Sequence, residues 1–498
     1  MSEPIPKINK SPKKKDTSSA VLLLAMKYRT IGAKVLFVLG LLGISFLAFY
    51  QLGRAPLENW DEAWYADVTR HMMQTKQFFV LYWNEALWLD KPPMYMWVSS
   101  LFSSIIGLSE FSVRLPSALS GIIVVMLASR FAYKNYGFVP AFLAFTTLAL
   151  NNIFIWRMRS GNIDLLATLF IFLIFLVQVS KTKYKYVLLG LLFAGLFLTK
   201  ASLVLFPFSI FILYEVLFER KQIRAHYKDY GKMIFLALLF PFLWLLIGSI
   251  QVGPQFYQYF LFKSDQGVAT IEAKTFSMDY LSYMYYSLQR RFTFVLIIGV
   301  LFAIRYIKDS KAFLLLMYGG LLLLQLSFTE RSNNWYLLPA MPFWSLLIAY
   351  GTYHILKIVR NNIFAVILIV AATAFLSYRT FVVSILPVLD SNPNIEQMQS
   401  SKALQLLTKE GDSIVRLDHL YPTTVYYSER KVLVSTADVT DTDAYWINRK
   451  DVVKKARQKK IRWMIGKASD IERMRITLSN VPVKVIEINK EESILEVL

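Results

Sequence analysis

Long apolar stretches recur along most of this chain, and they limit its possible folds more than any other feature. Residues 21–50, 121–150 and 188–217 are each long enough to cross a bilayer, which needs about 20 mostly apolar residues. Only 18% of the residues are charged and the mean hydropathy is +0.43, which is too apolar for a soluble globule. The sequence therefore predicts an all-α polytopic membrane protein.

The absence of cysteine, the few scattered histidines and the positive net charge together limit the kinds of site and partner that the chain can have. The chain has no cysteine, which excludes disulfides, thiol nucleophiles and cysteine-ligated metals. Its four histidines lack the spacing of metal ligands. A net charge of +21 would suggest nucleic acid in a soluble protein, but here membrane topology and anionic lipid explain it better. We therefore predict no metal, no cofactor and no nucleic-acid partner, with membrane lipids around the chain.

Short basic connections between the apolar stretches orient the chain in the membrane. They are residues 130–137, 181–187, 218–232, 305–311 and 357–362. Placing them in the cytoplasm predicts about eleven spans, with an inner N-terminus and an outer C-terminus. The predicted spans are residues 33–51, 116–132, 138–156, 163–180, 186–200, 201–217, 233–250, 292–305, 312–328, 336–355 and 363–380.

The same orientation divides the rest of the chain. The segments predicted to be outside are 52–115, 157–164, 251–291 and 329–336. The apolar stretch 94–108 is short for a span, so we predict an interfacial or partly buried helix within the first outer loop. Residues 1–30 are predicted to be a basic cytoplasmic tail, and residues 31–388 the membrane domain. Polar, β-rich runs then predict a small α/β domain outside the membrane, residues 389–498.

The stretch NWDEAWYADVTRHM, residues 59–72, places two adjacent acids just beyond the first span. Asn59 and Glu62 fit a capping box, which predicts an amphipathic helix along the outer surface. Asp61 and Glu62 then have two interpretations. They complement the helix dipole in its first turn, or they take part in chemistry. The pattern alone leaves both open.

Other charges lie inside apolar runs or close to helix ends. Asp164 begins the run LLATLFIFLIFL and Lys200 lies in LFLTKASLVLF, where an ionised side chain needs a partner, so we predict that they pair. Arg157 and Arg159, in the short turn before Asp164, are predicted to be interface anchors. The turn DKPPMYMW places Lys91 beside a helix N-terminus, a position that favours anions, although an ordinary turn has the same pattern.

The order of these motifs resembles one family of membrane enzymes. The acidic pair, the Asp-Lys-Pro-Pro turn, the segment SEFSVRLPSAL and the later Asp, LTK and YLLP segments follow in sequence. This order is similar to that of the aminoarabinose transferase branch of the GT-C glycosyltransferases, which is related to the protein O-mannosyltransferases. The resemblance covers roughly residues 30–350 and is strongest over 56–120. It implies the GT-C fold and a sugar donor carried on a polyprenyl phosphate.

The resemblance also implies a role for individual residues. It makes Asp61 the catalytic base, Glu62 the neighbouring acid and Asp164 the acid of the second outer loop. The residues that it implies around the donor and its lipid phosphate are Tyr65, Asp90, Lys91, Lys200 and Tyr336. The family commonly has Arg where Trp64 stands and His where Trp335 stands. Its loop arginine for the phosphate is absent, and the candidates to replace it are Lys263 and Lys274.

The predicted chemistry needs only one carboxylate. A glycosidase uses two, but a phosphate leaves a sugar as a stable anion, so one base and surrounding cations suffice. We therefore expect an inverting transferase in the cytoplasmic membrane. It would act on its periplasmic or extracellular side, on a hydroxyl or phosphate of a glycolipid, glycan or protein. The alternatives are a lipid or glycolipid transporter, which should show broken helices or inverted repeats, and a non-catalytic scaffold.

Overall fold

The computed structural model describes residues 35, 37–263, 276–288, 290–328, 333–360, 362–391, 394–436 and 445–498. Helices make up most of the described chain as far as Asp390, and a six-stranded sheet with helices follows. The predicted tail, residues 1–30, and Lys274 lie outside the described residues, as does the side chain of Lys263. Predictions about them therefore have no structural outcome.

The membrane half is built from apolar helices that pack side by side. These helices are α1 (Phe37–Phe49), α2 (Asp61–Thr75), α3 (Met94–Ile106), α4 (Glu110–Tyr136), α5 (Phe138–Ala149), α6 (Asn152–Met158), α7 (Ile163–Gln178), α8 (Lys185–Lys200), α9 (Leu205–Phe218), α10 (Arg220–Ile223), α11 (Tyr227–Val252), α12 (Gln255–Gln258), α13 (Asp279–Ser287), α14 (Arg291–Arg305), α15 (Ser310–Leu326), α16 (Met341–Ile358), α17 (Ile363–Thr380) and α18 (Leu386–Asp390). Tighter 3₁₀ turns occupy Ala201–Val204 and Asn334–Ala340, and wider π turns occupy Tyr259–Lys263 and Phe381–Ile385.

Every predicted span overlaps one or two of these helices. Within the described ranges, four helices are long and apolar enough to cross a membrane, and up to six if each bent pair is one span. The predicted span 138–156 is one such pair, because α5 and α6 meet at a bend of 63°. The total of eleven spans and their sidedness stay predictions.

Two helices of residues 52–115, the predicted first outer loop, pack against the bundle. Helix α3 has 13 residues, which is about 20 Å, and it buries Tyr95, Met96 and Ser99. A short, partly buried helix therefore forms in the stretch 94–108, and its place in an outer loop instead of across the membrane stays a prediction. The same loop contains a small hairpin, whose strands are β1 (Tyr82–Trp83) and β2 (Ala86–Leu87).

The predictions for helix α2 were wrong in two respects. It buries much of its surface, including Tyr65 and Val68, instead of lying along an outer face. Its N-cap is Trp60, which makes no side-chain capping bond, so there is no capping box. Asn59 and Glu62 are engaged elsewhere: the amide of Asn59 bonds to the C-terminal domain and Glu62 bonds to Arg114.

The helices approach one another most closely where glycine leaves room for a neighbouring backbone. A Cβ atom added to Gly299 of α14 would lie 2.1 Å from the carbonyl oxygen of Leu347 in α16. One added to Gly351 of α16 would lie 2.8 Å from the Cα of Gly299. Small residues at such crossings allow the van der Waals contact on which helix packing in a membrane depends.

The C-terminal part is an α/β domain, as predicted. Its strands are β3 (Ser413–Arg416), β4 (Lys431–Thr436), β5 (Trp446–Asn448), β6 (Trp463–Lys467), β7 (Val483–Glu487) and β8 (Glu492–Val497). Its helices are α19 (Ile395–Leu407), α20 (Pro422–Ser428), α21 (Arg449–Arg457) and α22 (Ala468–Thr477). The sheet order is β5-β4-β3-β6-β8-β7, in which the first four strands are parallel and β8 is antiparallel to both neighbours.

Buried hydrogen bonds attach this domain to the first outer loop. The hydroxyl of Tyr427 accepts from the backbone N–H of Leu57 at 2.8 Å. The side-chain amide of Asn84 both donates to and accepts from the backbone of Val432, each at 2.8 Å, much as a neighbouring strand would. These bonds place the C-terminal domain directly beside α2.

Candidate active site

Four side chains of alternating charge form a continuous chain of ion pairs. Arg157 Nη2 lies 3.3 Å from Asp61 Oδ2 and 2.6 Å from Asp164 Oδ2. Lys200 Nζ lies 2.9 Å from Asp164 Oδ1. The predicted pair of Asp164 and Lys200 is therefore confirmed. The structure also brings Asp61 to the same cluster through Arg157.

Helix ends bring the four charges together. Asp61 begins α2 and Asp164 lies in the first turn of α7, where a carboxylate is favoured by the helix dipole. Arg157 and Lys200 lie in the last turns of α6 and α8, where a cation is favoured. Asn162 fixes the turn between α6 and α7, because its side-chain oxygen accepts from the N–H of Asp164 at 3.0 Å.

Aromatic rings surround the two cations. The guanidinium of Arg157 lies 5.3 Å from the ring centroid of Trp156 and 5.1 Å from that of Trp335. Lys200 Nζ lies 4.7 Å from the ring centroid of Tyr336. These are cation–π distances, so the rings help to hold both cations in place. The prediction that Arg157 is an interface anchor was wrong, since its side chain is buried inside the cluster.

The acids of the cluster differ sharply in exposure. The side chain of Asp61 is 34% exposed, whereas that of Asp164 is 6% exposed and held by two cations. Asp61 is therefore the carboxylate of the cluster that a second molecule can reach.

Glu62 occupies a different environment from Asp61, although the two are adjacent. Its side chain is 2% exposed, and its two oxygens accept from Arg114 at 2.7 and 3.0 Å. They also accept from the backbone N–H groups of Glu58 at 2.7 Å and Gly161 at 2.5 Å. This contact set ties the first outer loop to α4 and to the turn before α7. The geometry supports a structural role for Glu62, and its predicted part in catalysis stays a prediction.

The other predicted donor residues lie on α2 and in the turn before α3. Lys91 Nζ pairs with Asp90 Oδ2 at 2.9 Å. The hydroxyl of Tyr65 is buried and has no hydrogen-bond partner among the described residues. Burial raises the pKa of Tyr65 well above its usual range, and the nearby carboxylates of Asp61 and Asp90 add to this effect. Tyr65 is thus a neutral hydroxyl within electrostatic reach of both groups.

Sequence reasoning missed two members of the site, Arg157 and Glu58. The carboxylate of Glu58 accepts from Trp156 Nε1 at 2.6 Å. Burial, together with the charge of Glu62, raises the pKa of Glu58 above its usual value. The signal for Arg157 was present: it lies seven residues before Asp164, in a turn short enough to keep the two charges together. The described residues contain no group of three or more His, Asp or Glu side chains that could hold a metal.

Comparisons with known proteins agree with this architecture. Residues 90–245 match the family described as dolichyl-phosphate-mannose-protein mannosyltransferase. An uncharacterised protein of Aquifex aeolicus is 27% identical over 368 residues, which is 71% of this chain and 72% of that protein. The undecaprenyl phosphate-alpha-4-amino-4-deoxy-L-arabinose arabinosyl transferase of Shewanella sediminis is 25% identical over 226 residues, 43% of this chain and 41% of that protein.

The fold is also similar to that of a solved structure. ArnT from Cupriavidus metallidurans bound to undecaprenyl phosphate superposes with a TM-score of 0.75 over 93% of this chain and 98% of that chain. Sequence identity across this superposition is 14%, so the likeness concerns the fold.

Proposed function

We propose that the protein moves a sugar from a polyprenyl phosphate to an acceptor, with Asp61 as general base. The premise of this proposal is that the chain belongs to the GT-C superfamily of glycosyltransferases. The acceptor group is a hydroxyl or a phosphate of a glycolipid, glycan or protein outside the cytoplasmic membrane. The observation that carries this proposal is the chain of ion pairs from Asp61 through Arg157 and Asp164 to Lys200. It joins one accessible carboxylate to the buried guanidinium of Arg157 and the half-buried ammonium of Lys200.

The cations supply what a lipid phosphate requires. The charge that develops on the leaving phosphate is stabilised by fixed positive groups in a site from which water is largely excluded. Lys200 is oriented by Asp164 and Tyr336, and we assign it to this phosphate together with Lys91. The relative from Shewanella sediminis is named for a sugar on undecaprenyl phosphate, and the similar Cupriavidus structure has that lipid bound. Both support a donor of this class.

The carboxylate of Asp61 supplies the base. Its exposed oxygen takes the proton of the acceptor hydroxyl while the acceptor oxygen attacks the sugar carbon. Attack from the face opposite the leaving phosphate inverts the configuration of that carbon. Asp164 is held by two cations, so we assign it the task of positioning Arg157 and Lys200. A monophosphate donor gives no reason for a metal, so we expect turnover to continue in a chelator.

Direct observation of the product tests this proposal. The purified protein is incubated with mannose or aminoarabinose on undecaprenyl phosphate, together with membrane fractions. We expect release of the lipid phosphate and, by mass spectrometry, one added sugar on an acceptor, with inverted configuration by NMR. Movement of intact donor across a proteoliposome, without any covalent product, would instead support the transporter alternative.

A further inference from the structure

A cavity of about 680 Å³ lies between the start of α2 and the C-terminal domain. Trp60 and Trp64 line it on the α2 side, and Tyr445 and Trp446 line it on the side of the sheet. Its volume falls within the roughly 300–1,000 Å³ of small-molecule sites. Asp61 directly follows Trp60 in the chain, although its own side chain does not line the cavity. None of the roles assigned above uses it.

Aromatic rings connect the two walls of the cavity. The ring centroids of Trp60 and Trp64 are 5.4 Å apart, and those of Trp64 and Trp83 are 5.8 Å apart. Trp83 in turn lies 5.0 Å from Tyr445 on the C-terminal domain. All three contacts are edge-to-face, with interplanar angles of 77–82°. Such contacts fix the orientation of each ring before a ligand arrives.

Polar groups in the walls lack partners. The Ser435 hydroxyl is buried, in a residue that is 3% exposed, and has no hydrogen-bond partner within the described part of the chain. The same is true of the indole N–H of Trp64. Both residues line the cavity. A ligand with hydroxyl groups would give these buried polar groups the hydrogen bonds that they lack.

Trp60 is held in an unusual position. Its backbone has φ of 69° and ψ of −119°, a combination that a bulky residue rarely adopts. Its side chain is 51% exposed, beside the cavity. Strained backbone of this kind clusters at binding sites, where the surrounding structure maintains it.

We propose that this cavity binds the sugar rings of a saccharide acceptor and brings one of their hydroxyl groups to Asp61, an assignment that rests on the function proposed above. A sugar ring has an apolar C–H face and a rim of hydroxyl groups. The indole and phenol rings match the face, since they offer large apolar surfaces with polar edges. Ser435, Asp418 and Arg449 match the rim, because together they offer both donors and acceptors.

Saccharide binding by the full-length protein tests the assignment without any transfer reaction. The protein in detergent is titrated with maltose, lactose, cellobiose and chitobiose. Saturation-transfer NMR then follows the sugar C–H signals while the aromatic protons are irradiated. We expect saturable binding of at least one disaccharide. Trp446→Ala and Trp64→Phe should each weaken it about ten-fold or more, and Ser435→Ala by a smaller factor.

Phe78→Ala is the matched control, because Phe78 is an exposed aromatic side chain of the same outer loop that does not line the cavity. It should bind saccharide as the wild type does. A thermal melt for each variant separates lost binding from lost folding.

Three results would overturn the assignment. The first is the absence of saturable binding for every disaccharide, and the second is equal binding by the wild type and both Trp variants. The third is binding of a serine- and threonine-rich peptide, but of no sugar, that is lost in the same variants, which would make the acceptor a protein. Intact saccharide binding without consumption of any polyprenyl-phosphate sugar would count against the proposed function alone.

Discussion

Replacing a carboxylate by an amide should have different effects at the two adjacent acids at the start of α2: at Asp61 it should lower the transfer rate, and at Glu62 it should lower the stability. In Asp61→Asn the side chain keeps its shape, so the fold should persist, but an amide cannot take up a proton. We expect the transfer rate at saturating donor to fall by about 10²–10⁴-fold, the usual contribution of general base catalysis. Thermal stability in detergent should change little. Near-normal turnover by this variant would refute the role of Asp61.

Glu62→Gln provides the comparison within the same helix turn. It leaves the buried Arg114 charge without its counter-ion, and breaking a buried pair in this way typically costs about 3–5 kcal/mol. We therefore expect a clearly lower melting temperature, while the fraction that stays folded should keep most of its turnover. Loss of turnover at unchanged stability would instead show that Glu62 takes part in catalysis.

Lys91 tests the donor side of the site. Lys91→Ala should remove a charge-assisted contact with the lipid phosphate, at a cost of about 1.5–3 kcal/mol. That corresponds to roughly a 10- to 150-fold higher KM for the donor. Lys91→Arg should retain part of the activity, because phosphate accepts either cation with different geometry. A donor KM that does not change in Lys91→Ala would exclude this role.

Individual residues differed in how far the sequence could predict them. Asp164 and Lys200 were predictable as a pair, because an isolated charge in an apolar helix needs a partner. The environment of Glu62 was not, because Arg114 lies 52 residues away and nothing local indicates the contact. Arg157 was misjudged because a charge beside a helix end has an ordinary explanation in a membrane protein, so its burial was visible only in the folded structure.

The apolar runs of the sequence predicted where the helices lie, but they did not predict which helices are buried. The sequence placed helices at every predicted span, since about 20 apolar residues in a row form a helix in a bilayer. Helix α2 was predicted to lie on a surface because its sequence mixes polar and apolar residues. Part of what covers it is the C-terminal domain, through residues such as Val425 and Val432 that follow it by more than 300 positions.

The close crossing of α14 and α16 should depend on Gly299, which has only a hydrogen atom as its side chain. Gly299→Ala would place a methyl group against the backbone of Leu347, so the helices must separate. We expect a loss of about 1–3 kcal/mol, as for other overpacked cores, measured by thermal unfolding in detergent. Gly320→Ala is the matched control, because a Cβ there meets nothing within 4 Å in the described structure. Equal stability of the two variants would contradict the close crossing.

Sidedness is a property of the whole molecule, and the basic connections predict it. A reporter fused after Leu389 should lie outside the cytoplasmic membrane, and one inserted in the loop 218–232 should lie inside. Pairs of fusions to alkaline phosphatase and to a fluorescent protein measure this, since each is active on one side only. Two reporters on the same side would show that the number of spans between them is wrong.

The hydrogen bonds between Asn59 and the C-terminal domain have a consequence for the biogenesis of the protein. Asn59 leaves the ribosome 338 residues before its partner Gln397. At about 5–20 residues per second, that interval is on the order of tens of seconds. Nearly the whole helical bundle is therefore inserted after α2 is synthesised and before the C-terminal domain that packs on α2 is translated. A nascent chain in the translocon therefore carries all four charges of the cluster before the C-terminal domain, which covers part of α2, has been translated.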